Sequence, residues 1–204
     1  MFLQTIACTF VKKKMQLQSD LLQDLKQRTE KVLTAAEVLL DLPLDELNYK
    51  PDPDTWSALE CLEHLNRYGD FYLPEISHRI QSGSEKKNDL FRSGWLGNYF
   101  AKSMLPKEKL NKMKTFKSMN PNGSRLDKST IDTFIDQQHQ MLRLLTKADA
   151  VSITHTKTSI SISKWIKLRL GDTFRVVIYH NQRHIVQAQK VLTTHKPAEN
   201  AILP

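Results

Sequence analysis

Apolar residues recur at intervals of three and four along four separate stretches of this chain, and that spacing dictates amphipathic α-helices. From Met15 to about Leu40 the repeating positions are Leu21, Leu22, Leu25, Val32, Leu33, Ala36, Leu39 and Leu40, with Asp20 as a candidate N-cap. A loop from Asp41 to Thr55 follows, because Pro43, Pro51 and Pro53 are too closely spaced for a helix interior. A second helix opens near Ser57, where Ser57 and Glu60 have the spacing of a capping box. Leu59, Leu62, Leu65, Tyr68, Tyr72, Ile76 and Ile80 carry its stripe, and Pro74 predicts a kink or break. A third helix runs from about Asp127 or Ser129 to Thr146. A fourth leads from Gly171-Asp172 to about Leu192.

The intervening stretches are less regular. Aromatic residues (Phe91, Trp95, Tyr99, Phe100) cluster around Gly94 and Gly97, and Pro106 can open a lysine-rich helix to about Met119. Residues 149–164 alternate polar and apolar side chains, which predicts a short strand pair or an extended crossover before the last helix. Buried strands between the helices, which a parallel α/β fold needs, are not visible. The fold class expected is therefore all-α, a four-helix bundle. Its domain spans residues 15–195, and residues 196–204 form a tail. Residues 1–14 place their apolar stretch before Lys12–Lys14, the reverse of a signal peptide, and read as a disordered or non-native leader with Met15 as the natural start.

A chain of 204 residues with 40% hydrophobic and 25% charged residues can bury a real core, which excludes a wholly disordered polymer. No run of 18 apolar residues occurs, so no transmembrane helix and no membrane partner are expected. Cys8 and Cys61 cannot build a disulfide framework, which points to a reducing, cytoplasmic compartment. The net charge of +8 is uneven. Residues 101–128 hold eight Lys/Arg against Glu108 and Asp127, whereas residues 41–90 hold eleven Asp/Glu against five Lys/Arg. Aromatic residues do not interleave with the central lysines in a nucleic-acid motif, so they read as a solvated surface and nucleic acid is not an expected partner.

Seven histidines are present, and two are set apart by spacing. His180 and His184 are four apart on one helix, so their rings stack on one face and can grip a divalent ion as neutral imidazoles. They border the apolar arc of Phe174, Val177, Ile185, Ala188 and Leu192, where side chains can point into a pocket. The spacing alone equally fits two partly exposed helical histidines. His64, in the apolar stripe of the second helix, is the natural third ligand, although a lone His there also fits a satisfied core residue. Glu60, one turn before His64, is the candidate catalytic carboxylate; its capping-box role accounts for it as well. Cys61 reads as a small hydrophobe rather than a fourth ligand. An exposed ligand stripe would be odd in a bundle, so the site is expected at the base of a pocket roofed by residues 91–120, with Trp95, Tyr99 or nearby lysines as substrate contacts.

Trp56-Ser57-Ala58-Leu59-Glu60-Cys61-Leu62-Glu63-His64-Leu65 resembles the W-S-x-x-E-x-x-x-H-L signature of the DinB/YfiT-like superfamily. Val177-Ile178-Tyr179-His180-Asn181-Gln182-Arg183-His184-Ile185-Val186-Gln187 resembles its closing H-x-x-x-H-x-x-Q helix. The likeness covers about residues 16–193. It implies an up-down-down-up bundle, often a homodimer, with a divalent metal, commonly zinc or nickel, held by His64, His180 and His184. It also implies a small-molecule substrate and a low-molecular-weight thiol such as bacillithiol, mycothiol or glutathione as cosubstrate. The function expected is that of a metal-dependent thiol S-transferase. The alternative is a metal-binding or metal-free helical interaction module without turnover.

Overall fold

The protein is described by a computed structural model covering residues 15–83, 87–106 and 115–195. The leader, the tail and most of the lysine-rich helix expected from Pro106 lie outside the described residues. The chain is mostly helical, with two small antiparallel strand pairs. The elements in order are β1 (Met15–Leu17), α1 (Gln18–Glu37), α2 (Leu44–Asn48), α3 (Ala58–Gln81), β2 (Leu90–Arg92), α4 (Trp95–Met104), α5 (Ser129–Lys147), β3 (Lys157–Ile160), β4 (Ser163–Arg169) and α6 (Leu170–His195).

The four stretches with helical periodicity are the four long helices. α1 packs against α5 and α6, and α3 packs against the same two. The capping box forms as its residue types require: the Glu60 amide donates to Ser57 Oγ at 3.1 Å, and the Ser57 amide donates to Glu60 Oε2 at 3.0 Å. α3 runs through Pro74 as one element, with Tyr72, Leu73 and Ile76 buried around it. Their packing holds the helix across the missing amide. Towards one end the core joins Leu25, Ile76, Phe91, Met141, Leu145 and Phe174. Towards the other it joins Val32, Leu59, Leu62, Ile131, Phe134 and Ala188. Each fully buried side chain of this size contributes roughly 1.5–3 kcal/mol of transfer free energy.

Several local expectations are corrected. The first helix begins at Gln18, not Met15, because Met15–Leu17 pairs with Leu90–Arg92. Asp20 stands within the first turn, and Leu17 occupies the cap without a side-chain bond. Buried Gln18 ties that helix start to the far side of the domain: its Nε2 donates to Val151 O at 2.9 Å and its Oε1 accepts from Ile153 N at 3.1 Å. A short helix, α2, interrupts the proline-rich loop, with Pro43 at its cap and Leu47 fully buried. The strand pair lies later than the alternation of residues 149–164 predicts. Lys157 pairs with Arg169, Thr158 with Leu168 and Ser159 with Lys167, and a register irregularity follows at Ile160. Thr158 and Leu168 are buried while Lys157 and Lys167 are exposed, so one face of the hairpin is anchored on the helices and the other faces water.

Two glycines set close approaches. A Cβ at Gly69 would collide with the Gln137 amide, whose Nε2 donates to Asn66 O (3.1 Å) and Asp70 Oδ1 (2.9 Å) and so locks α5 onto α3. A Cβ at Gly97 would collide with Asp172, so glycine is what lets α4 lie directly on the start of α6. Asp172 is fully buried and accepts from Ser93 Oγ (2.5 Å), Gly94 N (2.7 Å) and Arg175 Nη1 (3.1 Å).

Candidate metal centre

α3 and α6 pack side by side, and their histidine-bearing faces meet. The Nε2 atom of His180 lies 3.3 Å from Nε2 of His64 and 3.0 Å from Nε2 of His184. His64, His180 and His184 can each offer one ring nitrogen to a shared point, with these atoms all within 4.8 Å of one another. His64 and His184 are buried, and His180 is partly exposed at the cavity wall. His78, His139 and His195 are not part of this cluster.

The rings are oriented by neighbours the sequence does not reveal. His64 Nδ1 sits 2.7 Å from the Met119 carbonyl oxygen. A carbonyl only accepts, so the proton is assigned to Nδ1, and Nε2 presents its lone pair to the other two rings. Trp56 packs on His64 (4.7 Å between ring centroids) and stacks on His184 (5.7 Å). The Tyr68 ring meets His64 and His180 edge-on at 5.0 and 4.9 Å. Burial pushes the His64 imidazole down to about 4, against the Met119 hydrogen bond, with Arg67 adding to the depression. Burial lowers His184 to about 3, helped by His64 and Arg183 and opposed by Gln187. His180 is held well below the ordinary histidine range by burial and then by its neighbours His184, His64 and Arg183. All three rings are therefore neutral at pH 7, the state in which imidazole binds metals.

This donor set fits a divalent ion. Tetrahedral bonds of about 2.0–2.1 Å place pairs of ligand nitrogens roughly 3.3–3.4 Å apart. The His64–His180 separation of 3.3 Å is already at that scale, and the His180–His184 separation of 3.0 Å is slightly below it.

A cavity of about 840 Å³ opens onto the cluster, with His64, His180 and His184 in its wall. Trp56, Tyr68 and Tyr72 line one part of it, and Tyr99, Phe100 and Met104 of α4 line another. Phe116, Asn120 and Asn122 also contribute, so the described portion of residues 91–120 does border the site. Trp95 does not line the cavity. Arg183, one residue before His184 and buried, was not singled out by the spacing argument, yet among the described residues it is the arginine or lysine in the wall. Val177 and Gln187 join His180 and His184 there, as one helix face requires.

Glu60 is not a lining residue. Its carboxylate is fully buried and caps Ser57, meets Lys50 Nζ at 3.1 Å, and accepts from Gly123 N at 2.5 Å. It thereby ties the proline-rich loop and the turn after Met119 to the first turn of α3. Cys61 is also fully buried, beside leucines of the core, and burial raises its thiol far above the ordinary range. It is not among the clustered ligands.

The family model described as the DinB superfamily matches residues 26–188 of the chain. No curated protein and no solved structure matches it significantly.

Proposed function

The chain belongs to the DinB superfamily, and from that premise we propose that it is a divalent-metal-dependent enzyme acting on a small molecule at His64, His180 and His184, of the thiol S-transferase type. The observation that carries this is the convergence of three neutral histidine nitrogens at the wall of a cavity large enough for a substrate. A zinc or nickel ion held there leaves coordination positions open and supplies Lewis acidity that favours the thiolate form of a bound thiol. The chain's own part is positional. Met119 fixes the His64 tautomer, Trp56 and Tyr68 restrict the rings, and the aromatic walls offer apolar surface to a bound substrate. In the transfer, the thiol S–H bond breaks and its proton goes to solvent, and the sulfur forms a carbon–sulfur bond as the electrophile's leaving group departs with the electron pair of the carbon bond it gives up.

Glu60 enters this proposal as a positioning residue, because its oxygens are engaged by Ser57, Lys50 and Gly123. The core cluster that holds Leu21 and Leu25 near the start of α1 and Phe174 near the start of α6 also holds Ile76 and Leu145 near the ends of α3 and α5, which supports the up-down-down-up reading of the bundle. The homodimer and the cytoplasmic location belong to the same proposal.

Metal analysis of the purified protein beside His64→Ala, His180→Ala and His184→Ala tests the centre. Near-stoichiometric zinc or nickel in the parent, and strong loss in each variant, are expected. His78→Ala, His139→Ala and His195→Ala should retain it. The metal-loaded protein is then assayed with small thiols and carbon electrophiles for thioether formation. A bound metal without any turnover across the three thiols would favour the interaction-module reading.

A further inference from the structure

The mouth of the cavity carries an unusual surface. Tyr99, Phe116 and Ile162 line the cavity and are each at least half exposed. Exposed apolar side chains continue outward from them. Trp95, 79% exposed, stands one turn before Tyr99 on α4. Ile166 lies two residues before cavity-lining Leu168 on β4, and Trp165, 95% exposed, stands in the same strand near the hairpin turn. Trp95 and Ile166 thus extend the apolar rim that Tyr99, Phe116 and Ile162 begin, and Trp165 stands on the other face of the same strand, beside Lys167; so many exposed large apolar residues on the segments at one opening are far from a random scatter of single exposed residues.

The described segments that carry them bear charge of one sign. The described segments that carry these residues, 90–106, 115–124 and 157–169, contain Arg92, Lys102, Lys117, Lys157, Lys164, Lys167 and Arg169 and no Asp or Glu. Lys102, Lys117 and Lys167 are exposed. Asp54, from the proline-rich loop, is the acidic residue in the cavity wall among the described residues.

We propose that this face docks peripherally on an anionic lipid surface, with the cavity mouth towards the bilayer. Tryptophan and tyrosine are suited to the boundary between headgroups and acyl chains, and exposed isoleucines gain by entering it. Lysines among them are drawn to acidic headgroups. The charge and the apolar residues together favour this occupant over the competing ones. A two-fold contact between copies presents the same patch to itself and would oppose cations to cations. Nucleic acid would reward the lysines but not Ile162, Ile166 or Phe116. Among the described residues no helix is long and apolar enough to cross a membrane, so the contact is peripheral. It departs from the sequence-based expectation of no membrane partner, because single exposed residues from three separate segments form a patch only when the fold assembles them.

Flotation of the full-length protein with vesicles tests this. With phosphatidylcholine vesicles containing phosphatidylserine, the protein should float at low salt and be released as salt rises; with phosphatidylcholine alone it should stay behind. Lys102→Ala, Lys117→Ala and Lys167→Ala should each weaken partitioning roughly fivefold. The double variant Ile162→Ser/Trp165→Ser should weaken it at least about tenfold, with its far-ultraviolet circular dichroism unchanged. Absence of binding to the anionic vesicles overturns the proposal. So does undiminished binding by the double variant, which would reduce the effect to charge alone. Retention of duplex DNA tighter than of vesicles would assign the patch to nucleic acid, and a dimer in solution abolished by the double variant would assign it to a second copy.

Discussion

The Nδ1 atom of His64 and the carbonyl oxygen of Met119 lie 2.7 Å apart, 55 positions apart in sequence. This contact makes the turn at residues 117–120 a structural part of the histidine centre. It aims the lone pair of His64 and fixes the ring plane against α6. Arg67, one turn after Glu63 on α3, holds the same turn by donating to the Asn120 carbonyl at 3.0 Å.

Arg67→Ala should therefore weaken metal binding without touching a ligand. Loss of an outer support of this kind typically lowers affinity by about 10–100-fold. Competition with a chromophoric chelator measures it, and helicity should stay that of the parent. An unchanged affinity would show that Met119 holds its place without Arg67.

The metal-free protein should lose stability in acid between pH 7 and pH 5. The folded imidazoles of His64 and His184 titrate near 4 and 3, whereas the unfolded chain titrates near 6.5. Above about pH 6.5 both states are neutral and the pair contributes nothing to pH dependence. As pH falls through 6.5, the unfolded state takes up protons first and folding stability declines until the folded rings protonate in turn. The decline from pH 7 to pH 5 should be on the order of 2–4 kcal/mol. Urea midpoints at the two pH values, in the presence of a chelator, measure it. A midpoint that does not move would contradict the neutral buried rings.

Glu60→Gln separates support from chemistry. The variant keeps the shape of the side chain but loses the charge that meets Lys50 and strengthens the bond from Gly123 N. A stability loss of about 1–3 kcal/mol is expected, with metal content retained. Stability is read from urea unfolding and metal by elemental analysis. Lost turnover at unchanged stability would instead make Glu60 a catalytic carboxylate.

Asp172→Ala removes a fully buried carboxylate and leaves Arg175, Ser93 and the Gly94 amide without their shared acceptor. Breaking a buried ion pair of this kind costs about 3–5 kcal/mol. Because Asp172 bonds the residues just before α4, the variant should also loosen the cavity wall that holds Tyr99 and Phe100. Urea unfolding reads the first effect, and faster amide exchange confined to α4 reads the second. A loss below about 1 kcal/mol would show that the arginine and serine find other partners.

The sequence by itself determined the four long helices, the capping box at Ser57 and Glu60, and the shared face of His180 and His184; it offered His64 as a third ligand without deciding it. These are local properties: helical periodicity shows in any window of the chain, a capping box spans four residues, and His180 and His184 are neighbours because a helix repeats every 3.6 residues. Tertiary structure decided the rest. That Met15–Leu17 is a strand depends on a partner some 75 residues away, and the shift of the hairpin to residues 157–169 depends on Leu168 reaching the core. Neither follows from local pattern, because alternation and periodicity say which face is apolar but not what it meets. The same holds for the site: spacing can name ligands, but only the packing of α3 on α6 sets the 3.3 Å between the His64 and His180 nitrogens. The Met119 carbonyl that orients His64 carries no side-chain signal at all, since every residue has one, and only the path of the chain brings that one into reach.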